Sequence, residues 1–272
     1  MSSDKKPGQS ASQQVFGPQA GVYASSQVHA DDPSLDAMRD MAARTSGAPV
    51  SDMAYGWALD LGTGAGFTAF AMAEFSHHVL AVDPTLGMLQ QAQRIALERH
   101  LSNVGLSRNV AEALPVAPGS LDLVTTRMAA HHFLDFEVML DEVRRVLKPG
   151  GVLLLADSMA PEDDKVAKWM NDIELRRDFS HIQNRKATHI ESLMEDRGLR
   201  VSEREFTRIG LRFNDWAART ATSEAEKNAL RKDFLAASAP VKDAFQIYSV
   251  EGDDAEDIGF SWPCLILRAV KS

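Results

Sequence analysis

Trp57-Ala58-Leu59-Asp60-Leu61-Gly62-Thr63-Gly64-Ala65-Gly66-Phe67 decides the fold of this chain. Its first five residues read as a short buried β-strand. Glycine then occupies every second position, 62, 64 and 66, and a helix is predicted over Thr68–Phe75. Glycines between a strand and a helix permit a tight turn and a close backbone approach to a ligand, which meets the free N–H groups of the helix N-terminus. A dinucleotide loop requires Gly-x-Gly-x-x-Gly; the sixth position from Gly62 is Phe67, so that pattern fails. No lysine follows as in a phosphate-binding P-loop. A plain glycine turn is the simpler alternative, and Asp83 argues against it. Asp83 closes the next strand about twenty residues on, where a carboxylate accepts both hydroxyls of a ribose. It precedes Pro84 and equally suits a helix N-cap; the two roles are compatible.

Outward from this loop, strands and helices alternate. Further strands are predicted at Val79–Asp83, Leu106–Val110, Leu121–Thr126 and Gly151–Asp157, with helices over Pro84–Arg99 and Phe136–Leu147. The second helix is stopped by Lys148-Pro149-Gly150-Gly151. This order predicts right-handed βαβ units and an α/β, Rossmann-like, doubly wound and mostly parallel sheet. Beyond Asp157 an exposed helix is expected over Glu162–Asp178 and a capping box at Thr188-His189-Ile190-Glu191. A strand at Val201–Arg208, a helix-rich stretch from Phe213 to Ala237 and a last strand at Cys264–Lys271 complete the pattern. Pro263 lacks a backbone donor and is expected at that strand's start or at a bulge. The chain divides into a disordered tail (1–14), an N-terminal helical cap (15–50), a cofactor-binding core (51–160), a helical insertion over the acceptor site (161–200) and the C-terminal part of the sheet with helices (201–272).

Composition narrows the function classes. The 272 residues are 44% hydrophobic and 25% charged, an ordinary globular balance. No apolar run is long enough to span a bilayer, and no secretory pattern opens the sequence. The single cysteine, Cys264, excludes an internal disulfide and a cysteine-based metal site, so no metal is expected and a cytoplasmic location fits. Net charge is -9 with no basic run, which disfavours nucleic acid as partner and leaves a small molecule. A homodimer is compatible with the sequence.

Asp60 two residues before Gly62-x-Gly64-x-Gly66 resembles motif I of class I S-adenosylmethionine-dependent methyltransferases. Ala111-Glu112-Ala113-Leu114-Pro115, Gly119-Ser120-Leu121-Asp122-Leu123-Val124 and Leu147-Lys148-Pro149-Gly150-Gly151 resemble the ubiquinone/menaquinone-biosynthesis-type group of that family. Phe16-Gly17-Pro18, Arg127 to Phe133 and Asp157 to Asp163 are similar to a bacterial subgroup. The resemblance implies a seven-stranded sheet with an antiparallel last strand and S-adenosylmethionine as cofactor. By the same resemblance Asp60, Gly62, Thr63, Gly64 and Gly66 hold the methionine moiety, and Asp83 and Pro84 the ribose. Met88, Ala111 and Glu112 surround the adenine, Arg127 and Met128 line the cofactor, and Tyr23 with His29 belongs to a covering segment. Many members carry Asp where this chain has Val110, so Glu112 is the carboxylate candidate for the adenine.

Ligands of an open α/β sheet bind outside the C-terminal strand ends. The fourth and fifth strands deliver His131, His132 and Asp157 there. A histidine titrates near neutrality and suits a base that deprotonates a hydroxyl or acidic carbon, with Asp157 as its partner. His131 is the first choice; packing and solvation of the two histidines is the simpler alternative. Trp169, Phe179 and His181 are expected to wall the acceptor pocket. The expected reaction is methyl transfer to O, N or C of a small molecule. A cofactor-binding enzyme that does not methylate, such as a cyclase, a binding protein without turnover, and a nicotinamide dehydrogenase are the alternatives.

Overall fold

The computed structural model describes residues 9–24, 33–45, 53–220, 222–250 and 257–272. β1 (Tyr55–Leu61), β2 (Ser76–Val82), β3 (Val104–Ser107), β4 (Leu121–Arg127) and β5 (Leu147–Ser158) are parallel, in the order β3-β2-β1-β4-β5. β8 (Asp257–Lys271) lies antiparallel beside β5, and β6 (Leu199–Arg212) antiparallel beside β8. This is the expected seven-strand path with an antiparallel last strand. A short strand, β7 (Tyr248–Val250), adds to β8.

Alternation along each strand sends side chains to both faces, and helices bury both. Leu153 and Leu155 of β5 pack on one face with Phe136, Met139, Leu140 and Val143 of α5 (Phe136–Val146) and Ile190 and Met194 of α7 (Ala187–Glu195). Val152, Leu154 and Ala156 face the other way, onto Leu35, Met38 and Met41 of α2 (Pro33–Thr45) and Ala69 and Met72 of α3 (Phe67–Met72). α5 begins where Asp135 accepts hydrogen bonds from the N–H groups of Glu137 and Val138. α4 (Leu86–Glu98) packs Ala92 and Ile95 on Ala65 and Phe70 behind the glycine loop.

Several expectations are corrected. Residues 9–14, expected in a disordered tail, open α1 (Gln9–Ala24), which buries Ala11 and Val15. Pro84 stands outside α4, whose N-cap is Thr85. α6 (Asp164–Arg177) is not simply exposed: it buries Val166, Met170, Ile173 and Glu174. The capping box is absent; α7 starts after Lys186, and the Thr188 hydroxyl donates to Glu162 at 2.8 Å. β6 runs to Arg212 and β8 begins at Asp257, so both strands are longer than expected and form a ribbon projecting past the end of β5. Pro263 lies inside β8, opposite Arg208, with no bulge at that point. Its carbonyl accepts the Met159 N–H at 2.9 Å just beyond the last β5 pair, Ser158–Cys264. The donor it lacks therefore faces a position where the β5 ladder has ended.

The projecting ribbon carries a further core. Phe260 and Trp262 pack with Phe213 and Trp216 of α8 (Phe213–Ala218), Phe234 of α9 (Glu224–Leu235), Phe245 of α10 (Ala239–Phe245) and Met170 of α6. Phe234 is fully buried and meets the rings of Trp169, Phe213, Trp216, Phe260 and Trp262. Phe234→Ala is expected to destabilise the protein by about 3–5 kcal/mol, read from the shift of the urea unfolding midpoint.

Candidate active site

At the C-terminal ends of the parallel strands a cleft of about 1140 Å³ is open above the glycine loop. Gly62, Gly64 and Gly66 all have positive φ, 64°, 53° and 95°. At Gly62 a Cβ would stand 2.6 Å from Ala129 Cβ, and at Gly66 one would collide with the Phe70 ring, so the loop is pressed against its support there. At Gly64 a Cβ would meet nothing within 4 Å. That is where the backbone faces the cleft. The loop is held by Asp83, whose carboxylate accepts the N–H of Gly64 at 2.9 Å and of Thr85 at 2.8 Å. Burial raises the Asp83 pKa above the ordinary carboxylate value.

Asp60 stands beneath the loop. Its Oδ1 accepts from Thr125 Oγ1 at 2.7 Å, directly across the β1–β4 pairing. Its Oδ2 and the Thr63 hydroxyl oxygen are buried with no hydrogen-bond partner among the described residues. Burial pushes the Asp60 carboxyl up to about 6. The buried Asp60 carboxylate and Thr63 hydroxyl, which lie against each other at the root of a glycine cradle, fit a ligand that brings N–H donors and positive charge.

Gly62, Thr63, Gly64, Asp83, Pro84, Met88, Ala111, Glu112, Arg127 and Met128 line the cleft. Asp60 and Gly66 do not: the first lies below the loop, the second against Phe70. Tyr23 lies in α1, but its side chain and the whole of His29 fall outside the described residues. Glu112 divides its role, since its Oε1 also accepts the Asp135 N–H at 3.3 Å. Sequence reasoning missed Asn109, which lines the cleft with its carbonyl oxygen held by the Ser107 hydroxyl at 2.5 Å, leaving the amide NH₂ as its free donor group. It also missed Ser12 and Phe16 of α1. That helix is docked by Gln13 donating to the Pro84 carbonyl at 3.2 Å, a tertiary bond without a sequence motif.

A second cavity, about 770 Å³, adjoins the first; Phe16, Arg127, Met128 and His132 border both. Met128 has φ 51°, a strained conformation for a residue with a side chain, at this junction. His131 lines the second cavity. Its Nδ1 lies 2.6 Å from Asp157 Oδ1 and its backbone N–H donates to Asp157 Oδ2 at 3.0 Å. Burial opposes charge on both partners, but their mutual attraction outweighs it: the His131 pKa is raised and that of Asp157 lowered. With Nδ1–H turned to Asp157, neutral His131 presents Nε2 as a proton acceptor. His132 differs. Its Nδ1 faces the Ser180 carbonyl at 3.1 Å, and burial together with the neighbouring His131 pushes it down to about 4.

The expected acceptor wall is partly corrected. Trp169 belongs to the aromatic core, stacked on Phe245, and Phe179 is exposed outside the cavity. His181 is buried behind His131, with Nε2 on Asn171 at 2.9 Å. The second cavity is walled instead by Glu174, Arg177 and Asp178 at the end of α6, Ile209 and Leu211 of β6, Trp216 of α8 and Trp262 of β8.

Comparison with known proteins places this geometry. A methyltransferase-domain family model matches residues 59–155. The chain is 30% identical over 213 residues to YcgJ of Bacillus subtilis (strain 168), described as an uncharacterized methyltransferase, covering 78% of this chain and 83% of that protein. It is 34% identical to the uncharacterized YafE of Escherichia coli (strain K12), covering 67% of this chain and 88% of that one. The crystal structure of YcgJ superposes with a TM-score of 0.79 at 28% identity, over 88% of this chain and 97% of that chain. The [4+2]-cyclase SpnF, 20% identical with a TM-score of 0.55 over 87% of this chain and 80% of that chain, shares the fold. The protein belongs to the S-adenosylmethionine-dependent methyltransferase family.

The His131–Asp157 pair gives a signed pH prediction. Its contribution to stability is complete between the unfolded-state pKa values of 3.8 and 6.5. It is lost as pH rises through the raised His131 value and as pH falls through the lowered Asp157 value. Asp157→Asn is expected to lower the His131 pKa below 6.5. An imidazole NMR titration checks this, and an unchanged pKa would separate the two residues.

Proposed function

We propose that this methyltransferase transfers a methyl group to a small molecule held in the second cavity, with His131 as general base and Asp157 as the group that orients it. The observation that carries this reading is the meeting of the two cavities at Phe16, Arg127, Met128 and His132, with the His131–Asp157 pair on the acceptor side. Bound S-adenosylmethionine supplies an electrophilic methyl carbon. The chain supplies position and proton transfer. Asp83 receives the ribose hydroxyls, the Gly62–Gly64 backbone with Thr63 and the charge of Asp60 beneath holds the methionine end, and Met88, Ala111 and Glu112 border the adenine.

Transfer itself is a displacement, so holding the acceptor in line with the methyl is a large share of catalysis. His131 Nε2 takes the proton of an acceptor hydroxyl or acidic carbon and then shares positive charge with Asp157. His132 is a weaker base, because burial and His131 hold it near 4. Closure of α1 across both cavities, with Phe16 edge-on to His132 at 5.0 Å between centroids, excludes water. The charge of -9 and the absence of a basic run support a metabolite over nucleic acid. The lone buried thiol Cys264 supports a cytoplasmic location.

Incubation with methyl-labelled cofactor and a metabolite extract is expected to yield a labelled small product. His131→Ala should then lower kcat by about 10²–10⁴-fold, with cofactor affinity retained. Tight cofactor binding with no labelled product from the wild type would favour a non-methylating enzyme. Asp83→Ala is expected to weaken cofactor binding about tenfold or more, since it removes a ribose partner and the tether of Gly64; calorimetry with S-adenosylhomocysteine measures it.

A further inference from the structure

The second cavity holds a carboxylate oxygen whose partner is missing. Asp178 caps the C-terminus of α6, its N–H donating to the Glu174 carbonyl at 2.8 Å. The residue is 1% exposed. Oδ1 is occupied: it accepts the Ser180 N–H at 2.8 Å and the Ser180 hydroxyl at 2.6 Å. Oδ2 is buried with no hydrogen-bond partner among the described residues, and Asp178 lines the cavity.

The neighbouring charged and polar groups are already committed. Glu174 accepts Trp262 Nε1–H at 2.6 Å on one oxygen and the Arg177 guanidinium at 2.8 and 3.0 Å on the other. Arg177 lies over the Trp216 ring at 4.9 Å and reaches Asp178 Oδ2 only at 4.0 Å. The Ser158 hydroxyl donates to Asn184 at 2.7 Å. Burial opposes the charge of Asp178, but His132, Arg177 and Ser180 outweigh it, so the carboxyl stays below the ordinary value and is ionised at neutral pH. An ionised, buried oxygen of a cavity-lining residue, left without a donor, is costly and is satisfied by a ligand's O–H or N–H. Trp216, Trp262 and Phe16 provide flat apolar walls beside it.

We propose that Asp178 is a specificity-determining residue of the acceptor cavity: its Oδ2 accepts a hydrogen bond from a hydroxyl or amino group of an aromatic acceptor. This rests on the reading of the second cavity as the acceptor site. The donor group recognised is distinct from the atom deprotonated by His131, because Asp178 is too weakly basic to take a proton there. Neutral hydroxyl and protonated amine share this chemistry, and the test separates them.

Ligand-observed NMR on the full chain saturated with S-adenosylhomocysteine uses phenol and benzylamine as donor-bearing probes, with anisole and toluene as donor-free controls. The wild type is expected to prefer at least one donor-bearing probe over its control. Asp178→Asn keeps an oxygen for Ser180 and turns Oδ2 into a donor; it is expected to weaken that probe about tenfold and leave the controls unchanged. Loss confined to phenol identifies a hydroxyl, and loss confined to benzylamine an ammonium. Equal binding of a donor-bearing probe to both proteins would overturn the proposal. So would a wild type with no preference over the controls, a result that needs no variant to fold. Failure of labelled methyl transfer with this preference intact would remove the transfer reading alone; active transfer without the preference would remove Asp178 alone.

Discussion

The carboxylate of Asp157 receives three N–H groups: the backbone and Nδ1 of His131 and the backbone of Ser158 at 2.7 Å. It sits near the end of β5, and His131 stands just past the end of β4. One buried charge thus fixes the relative position of two adjacent strand ends and the loop between them. A carboxylate at 4% exposure is tolerable only when its oxygens are filled. Filling them places His131 with Nε2 outward and seats His132 at the junction of two cavities. Ile182 and Gln183 then donate to the His131 carbonyl at 2.9 and 3.1 Å, attaching the segment after α6 to the same point.

The two cavities differ in how they are built. The cofactor cleft is made by local sequence: one glycine loop, the next strand's terminal Asp83 and the turn at Ala111 and Glu112. The second cavity is made by elements distant in sequence, from α6, the β6–β8 ribbon and α8. Their junction is bordered by Phe16, Arg127, Met128 and His132. Arg127 is itself anchored by donating to Thr68 Oγ1 at 3.1 Å. A scaffold of this kind keeps one half constant for the cofactor and lets the other half vary with the acceptor.

The charge pattern of the second cavity follows from burial. Asp157, in contact with His131, raises that imidazole's pKa, whereas burial and the neighbouring His131 push His132 down to about 4. Glu174 is neutralised by Arg177 and accepts the Trp262 indole N–H. Asp178, which lines the cavity, has an oxygen with no hydrogen-bond partner among the described residues. Identical residue types therefore take different chemical roles according to which neighbours reach them.

Periodicity and the Asp60–Gly66 motif were sufficient for the parallel core and the cofactor, because both depend on residues contiguous in the chain. The backbone of a glycine loop after a strand has few alternatives, and Asp83 follows at a fixed crossover distance. Boundaries failed where tertiary partners extended an element: Pro263 sits within β8 because β5 has already ended, and Thr188 bonds Glu162 instead of capping α7. Trp169 looked like a pocket wall and is core, whereas Trp216 and Trp262 wall the cavity. Nothing in their local sequence distinguishes them. An aromatic's environment is set by the ribbon's projection past β5, which is a property of strand register across residues 158, 208 and 263. Residues contiguous in the chain carry the sheet, the glycine loop and the candidates His131 and Asp157. The second cavity and the unpartnered oxygen of Asp178 arise from contacts between segments that no local pattern links.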